Sequence, residues 1–386
     1  RRTLSKRRII LSCLRLLITV SVLLFHWSLL DGQVLELAKQ LKVATAYFPV
    51  SESIKENLGY LKKQILRASG EGADVVHSCE CALSGYAGVD MEDNSKLDCR
   101  ALNNALDELR ALAREMRIWL ILGSANPQQA LHESSSRSEA SNTRDSKPYN
   151  SLFVINDEGE LLDRYDKLFC AGDASESTGD LKHYTPGSRF LVFSVKGWTC
   201  GCLICHDYRY PELFREYKKM GVELLFHSFH AGHVTGEKQL AMIDAIGKEN
   251  LSLNWGASLP EITMPASMVA AAASSHFWIS CSNTATRHSC FASFVVRPDG
   301  VVCAKARRHV PTVLLTQILP LEYFYDSTKA WRERAMDGVF HSGTLCRSNF
   351  GTAPGGGDPG TAPGGGDPGD TFSRFDLMSQ KDDPEL

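Results

Sequence analysis

The sequence predicts an α/β fold with helices packed over mixed β-sheets. Short apolar runs rich in Val, Ile, Leu and Phe recur between residues 42 and 318. Several are separated by helical segments, the pattern of β–α–β crossovers. Others are joined by tight polar turns, the pattern of hairpins. Crossovers and hairpins together predict mixed rather than purely parallel sheets.

"KVATAYFPV" (42–50) reads as a buried strand, and 51–70 as a helix with Ser51 or Ser53 as its cap and Gly70 near its end. "ADVVHS" (73–78) is the next strand, 100–117 an amphipathic helix, and "IWLILGSA" (118–125) a third strand. The polar stretch 132–148 predicts a surface loop. Residues 150–168 read as strand, D-E-G-E turn and strand. "RFLVFSV" (189–195) and "TCGCLIC" (199–205) are strands, followed by a helix over 210–220 closed by Gly221. "VELLFHSF" (222–229) is a strand, and helical runs cover about 237–250 and the Ala-rich 266–276. "FWISCSN" (277–283), "CFASFVVRPDGVVCAKA" (290–306) and "TVLLTQI" (312–318) complete the strands.

The composition, 43% hydrophobic and 23% charged, is that of an ordinary globular protein. A net charge of −3 supplies no bulk basic field, which argues against nucleic acid as a partner. Twelve cysteines in 386 residues are too sparse for a disulfide scaffold, and most lie in apolar, strand-like contexts. They predict reduced buried thiols and a cytoplasmic location. Residues 1–41 form an N-terminal extension whose first 30 residues join a basic start to an apolar run, Leu16 to Leu30. That run is shorter than the roughly 20 residues of a membrane helix and resembles a signal or short anchor, so membrane contact is expected only through 1–30. Residues 341–386 carry "GTAPGGGDP" twice and predict a flexible tail beyond a domain at 42–340. The formal GxGxxG at 355–360 has no strand before it, and Pro359 opposes a helix after it.

Three places carry chemistry. Cys205 ends an apolar strand where "HDYRYPELF" opens a turn and helix. Backbone N–H groups point outward at such a junction, lowering a thiol pKa and offering oxyanion donors. Cys202 and Cys205 also form C-x-x-C, but on a strand they face opposite sides, which spoils a redox or zinc site. Glu80 stands between Cys79 and Cys81 at the end of another apolar strand, where a carboxylate must be paired, solvated or functional. Lys167 ends a third strand, either as a surface charge or as a fixed cation beside the thiol.

Taken in the order Glu, Lys, Cys at strand ends, "CECALSGYAG", "RYDKLF" and "GCLICHDYRYPELF" resemble the carbon–nitrogen hydrolase (nitrilase) superfamily over roughly 42–320. "YTPG" (184–187), "SCSN" (280–283) and "VVRPDG" (295–300) fall in the family's order. The resemblance implies an αββα sandwich that dimerises into four αββααββα layers, or assembles further, without metal or other cofactor. It implies Glu80 as general base, Cys205 as nucleophile, and Lys167 with the His206 backbone N–H around the oxyanion. The substrate would be a small amide or N-carbamoyl compound; a nitrile, or a non-catalytic scaffold, are the alternatives. The family's fourth acidic residue falls on Asp180, with Glu176 as the alternative. Where the family has Phe-Pro before the Glu, this chain has Ser78-Cys79, which is expected to loosen the turn aiming Glu80.

Asp207 and Arg209 are expected to pair or cap around the elbow, and Tyr86 to pack near Glu80 as a candidate for the substrate pocket. His227, His230 and His233 invite a metal reading that their strand-like context opposes; the resemblance places His227 and His230 by the substrate pocket, with plain structural histidines as the alternative. Asn283 is expected to order loops, and Trp198 to be a packing or edge residue.

Overall fold

In the computed structural model, β1 (Leu41–Tyr47), β2 (Val75–His77) and β3 (Trp119–Asn126) run parallel, with Val43 opposite Val75 and Val75 opposite Trp119. The structure describes residues 39–127, 147–173, 175–231, 236–254, 256–287 and 289–337. The expected N-terminal extension up to residue 38, most of the 132–148 loop, His233 and the C-terminal tail lie outside them.

Helix α1 (Ile54–Gly70) joins β1 to β2, and α2 (Cys99–Met116) joins β2 to β3. Each begins where a side chain satisfies a free helical N–H: Ser53 Oγ accepts from Glu56 N (3.3 Å), and Asp98 Oδ1 from Ala101 N (2.9 Å). Their buried residues recur at helical spacing: Leu61, Ile65 and Ala68 on α1, and Leu102, Ala105, Leu109 and Ala113 on α2. β4 (Tyr149–Ile155) and β5 (Leu161–Asp166) extend the sheet as an antiparallel hairpin. β12 (Thr312–Ile318) closes the other side, antiparallel to β1, giving the order β12-β1-β2-β3-β4-β5.

The second sheet has the same plan. After the short α3 (Gly179–His183) come β6 (Val192–Val195), β7 (Trp198–Ile204), α4 (Pro211–Lys219) and β8 (Leu224–Ser228). Then come α5 (Gly236–Ile246), α6 (Lys248–Leu251), α7 (Leu259–Ser275), β9 (Trp278–Ser282), β10 (Phe294–Val296) and β11 (Val302–Lys305). β7, β8 and β9 are parallel, in the order β11-β10-β9-β8-β7-β6.

Alternation along the strands builds the layers. Val43, Val75, Ile121, Leu152 and Tyr165 share one core with Trp198, Cys200, Cys202, Phe226 and Ile279 of the second sheet. Ala44, Ala46, Val76, Leu120 and Leu122 pack instead against α1 and α2. Leu213, Phe214 and Tyr217 of α4, with Met268 and Ala272 of α7, join the second sheet's core. Each large side chain so buried contributes about 1.5–3 kcal/mol of transfer free energy. The chain is thus a helix–sheet–sheet–helix sandwich. Among the described residues no helix is long and apolar enough to cross a membrane.

The elements differ from expectation where Gly and Pro act in context. α7 starts seven residues before the predicted 266, because Ser258 caps it (Ser258 Oγ to Glu261 N, 3.4 Å) and Pro260 sits in the first turn, where no N–H is needed. The helix predicted over 237–250 breaks at Gly247, whose φ is +83°. The 290–306 hairpin is shorter than expected, with a register shift between Val295 and Val296. A final helix, α8 (Lys329–Met336), was not foreseen.

Near the carboxyl ends of the parallel strands the core turns polar. Thr45 Oγ1 lies 2.7 Å from Ser280 Oγ, and the His77 ring bridges Ser280 Oγ and Ser228 Oγ, each at 2.9 Å. Carboxyl ends of parallel strands are where α/β sheets bind ligands.

Candidate active site

Glu80 follows β2 through Ser78-Cys79, the place of the expected loosening. The structure corrects that expectation. Ser78 N donates to Ile121 O (2.9 Å), and Ser78 Oγ accepts from Gly123 N (3.0 Å) while lying 3.3 Å from Ile121 O. Ser228 Oγ donates to Ser78 O (2.8 Å). Hydrogen bonds thus hold the turn that proline's fixed φ would otherwise constrain. The approach to β3 is so close that a Cβ on Gly123 would lie 2.0 Å from Cys79 O. Glu80 N donates to Phe229 O (3.2 Å), and Cys81 takes a left-handed φ of +51°. The Glu80 side chain is fully buried. Its Oε1 accepts from Asn150 Nδ2 (2.7 Å) and Lys167 Nζ (2.8 Å), whereas Oε2 has no hydrogen-bond partner.

Lys167 directly follows β5. Its backbone is pinned by Lys167 N to Asn150 O (2.9 Å) and by Gly187 N to Lys167 O (2.8 Å). Gly187, the glycine of "YTPG", passes so close that a Cβ would meet Asp166 O at 2.2 Å. The Lys167 ammonium lies 2.8 Å from Glu80 Oε1 and 2.6 Å from Asp180 Oδ2, at 1% side-chain exposure. Burial opposes its charge, but Asp180 and Glu80 hold its pKa well above the ordinary lysine value. Asp180, on α3, accepts further from the Tyr86 hydroxyl and from Ala171 N (3.0 Å). Burial pushes its carboxyl up, yet Lys167 and these donors hold it below the usual range. Glu176 is instead exposed and pairs with Lys147 (2.7 Å). Of the two candidates Asp180 therefore reaches the lysine.

Cys205 begins a single 3₁₀ turn, Cys205–Arg209, with a left-handed φ of +40°. Such backbone is strained for a residue with a Cβ and persists where its surroundings over-determine it. Asp207 is the main restraint. Its carboxylate accepts from Ile204 N (2.9 Å), Phe169 N (2.8 Å) and Tyr165 OH (2.8 Å), tying the elbow to the β5 segment that carries Lys167. Burial pushes Asp207 up to about 6. His227 Nε2 lies 3.3 Å from Cys205 O, a carbonyl that can only accept, and His227 Nδ1 has no partner. His227 is therefore the neutral Nε2–H tautomer, and burial lowers its pKa to about 3. This corrects the lowering expected at the junction: burial and Glu80 push the Cys205 thiol well above its ordinary value, against the pull of Lys167.

Glu80, Lys167, Asp180 and Cys205 thus converge, as do Tyr86 and His230: the Tyr86 ring lies 6.0 Å from Lys167 Nζ, and His230 Nδ1 lies 3.4 Å from Glu80 O. His206 is half-buried beside Tyr210, and burial, then Lys167, lowers its pKa. Arg209 does not pair with Asp207: both Asp207 oxygens face inward, while Arg209 is exposed over the Tyr208 ring (5.2 Å). Asn283 orders loops as expected, accepting from Ala231 N (2.9 Å) and donating to Phe291 O (2.7 Å). Trp198 is fully buried in the core. Asn150 and Asp90 were missed, for no local pattern marks them. Among the described residues no group of three His, Cys, Asp or Glu has the arrangement of a metal site.

The carbon-nitrogen hydrolase family model matches residues 40–322, well over half of the chain. "Nitrilase homolog 2" of Dictyostelium discoideum is 27% identical over 201 residues, covering 51% of this chain and 56% of that protein. "Omega-amidase NIT2" of Homo sapiens is 26% identical over 189 residues, covering 48% and 62%. The chain therefore spans less than two thirds of these relatives' own length. The crystal structure of an amidase from Nesterenkonia sp. superposes with a TM-score of 0.55 at 18% identity, covering 76% of this chain and 96% of that one. A mutant of that amidase carries the acetamide moiety of fluoroacetamide added covalently at its active-site cysteine. The sandwich, the order of its segments and the family match lead to one conclusion: the chain belongs to the carbon–nitrogen hydrolase family.

Proposed function

We propose that this chain is a thiol amidohydrolase that cleaves a non-peptide C–N bond of a small amide or N-carbamoyl substrate, releasing ammonia. The observation that carries the reading is the buried Lys167 ammonium, held between Glu80 and Asp180 beside a thiol on a strained strand-to-helix elbow. A nucleophile beside buried titratable groups with shifted pKa values is the pattern of a catalytic site.

The environment keeps the resting thiol protonated, so proton transfer accompanies attack. The open oxygen, Glu80 Oε2, takes the thiol proton as sulfur bonds to the carbonyl carbon and the C=O electrons move to oxygen. The oxyanion sits between Lys167 Nζ and the His206 backbone N–H, one of the free donors at the start of the turn. Collapse breaks the C–N bond, and ammonia leaves with the proton from Glu80. Glu80 then deprotonates water, the hydroxide oxygen attacks the thioester, and the C–S bond breaks. The proton returns to sulfur. Asp180 keeps Lys167 charged and placed through this cycle, and Tyr86 fixes Asp180.

Ammonia release from N-carbamoyl amino acids, linear amides and nitriles, measured beside Cys205→Ala, tests this. Release from amides or carbamoyl compounds, abolished by the substitution, is expected. Turnover of nitriles alone would replace the reading with nitrile hydrolysis. Silence across the panel, with Cys205 inert to iodoacetamide, would favour a scaffold. By family resemblance we further infer a homo-oligomer. The described cysteines are all unpaired, which supports a reducing compartment.

A further inference from the structure

Phe229 and Ala231 are both tied to the β9 end, through Phe229 N to Ser282 O (2.7 Å) and Ala231 N to Asn283 Oδ1 (2.9 Å). The residue between them, His230, is therefore held on both sides. Its fully buried ring meets oxygen at each nitrogen: Nδ1 lies 3.4 Å from Glu80 O, and Nε2 lies 3.3 Å from Asp90 Oδ2, an ion-pair contact without the alignment of a hydrogen bond. A backbone carbonyl only accepts, and so does an ionised carboxylate. A neutral imidazole has one N–H and no charge; the imidazolium keeps a donor toward Glu80 O and sets a positive charge against the buried Asp90 carboxylate. The ring also packs on Tyr86, 5.1 Å between centroids. Asp90 Oδ2 accepts from Tyr86 N (3.0 Å), and the Tyr86 hydroxyl donates to Asp180.

We propose that His230 is a positioning residue, a buried imidazolium paired with Asp90 that holds the Glu80 and Tyr86 segments against the nucleophile elbow. Its reach is wide for one side chain. Through Glu80 O it fixes the carboxylate-bearing turn. Through Asp90 and Tyr86 it reaches Asp180, which holds Lys167. Its backbone N–H favours the thiolate form of Cys205. The titratable groups around it are Asp90, Glu80, Tyr86 and Cys205, with Lys167 and Asp180 beyond Tyr86. Burial opposes the charge, but Asp90 and then Glu80 raise the His230 pKa above its ordinary value. The proton is thus lost at a higher pH than from an ordinary histidine. Deprotonation removes the charge that faces Asp90, and the site loosens on the alkaline side.

The catalytic effect rests on the hydrolase reading, whereas the protonation state does not, and the experiment separates them. Imidazole ¹⁵N NMR of the full chain, with His230→Gln to assign the resonance, reads the ring directly. Both nitrogens of His230 are expected to carry protons at pH 6.5–7, and Asp90→Asn is expected to move the titration to lower pH. The rate of Cys205 alkylation by iodoacetamide against pH should show the same titration, shifted in Asp90→Asn. On an amide substrate, Asp90→Asn should move the alkaline limb of kcat/KM down in pH, and His230→Gln should remove that limb and lower kcat about ten- to a hundredfold. A singly protonated ring at pH 6.5, or unchanged titration and alkylation profiles in Asp90→Asn, overturns the proposal. If His230→Gln does not fold, the wild-type and Asp90→Asn spectra still decide it. Expected NMR and alkylation results without turnover of any amide would retain the pair and reject the hydrolase.

Discussion

Lys167 keeps a full charge at 1% side-chain exposure because Glu80 and Asp180 surround it. Removing one member of such a set costs more than forming it ever gained, since the remaining charges stay buried. Lys167→Met should destabilise the fold by about 3–5 kcal/mol in urea unfolding and abolish turnover. A stability within about 0.5 kcal/mol of wild type would mean that the carboxylates find water or protons at little cost. Ser78 gives a milder test. Ser78→Ala removes the acceptor of the buried Gly123 N–H and should cost about 1–3 kcal/mol, with a fall in kcat as Glu80 loses its aim. Glu80 and Cys205 were legible because each is a chemically active side chain ending an apolar run, whereas Lys167 follows the alternating polar strand LLDRYD and was singled out by the family resemblance. Asn150 was not legible, since its bond to Glu80 joins residues 70 apart in sequence. Asp90 and the left-handed backbone at Cys81 and Cys205 leave no trace in residue type either.

At the scale of elements, the site is built by strand ends held by side chains from other strands. Asp207 ties the end of β7 to the residues after β5, and Asn283 ties the end of β9 to the segment after β8. Asn283→Ala would leave Ala231 N and Phe291 O without these partners in a buried setting. It should lower stability by about 2–4 kcal/mol and raise hydrogen exchange at Ala231, whereas a loss confined to activity would show that Asn283 meets substrate instead. Strands such as β1 and β3 were readable because one face meets the other sheet and one meets helices, so the runs are apolar throughout. The start of α7 was hidden by Pro260 and Pro265, which argue against a helix unless the cap at Ser258 is known. Gly247 split a helical run that composition alone would have continued. Both cases turn on where a residue falls within the element, which periodicity does not report.

Across the whole molecule, the polar seam between the sheets makes stability depend on pH in a defined direction. His77 is buried between two serine hydroxyls, and burial followed by His227 lowers its pKa to about 3. His227 is likewise lowered to about 3. Both therefore stay neutral in the fold between pH 4.5 and 6, while the unfolded chain protonates them below about 6.5. The unfolded state then binds more protons, so stability falls as pH falls. The half-buried His206 and the buried His183 are lowered too and add in the same direction. Asp207 acts oppositely: burial raises it to about 6, so the fold takes up a proton there that the unfolded chain releases until about pH 4. His230, raised in the fold, is protonated in both states over this window and adds no slope. The two fully buried histidines and Asp207 leave about one net proton, or about 1.4 kcal/mol lost per pH unit between pH 6 and 4.5. Asp207→Asn removes the opposing term and should steepen the slope to about 2.7 kcal/mol per pH unit. His77→Gln should flatten it. Urea unfolding at half-unit steps of pH reads all three. A flat wild-type profile, or an Asp207→Asn profile no steeper than wild type, would mean that water or a proton reaches the seam in the folded state and that the neutral-histidine layer is not closed.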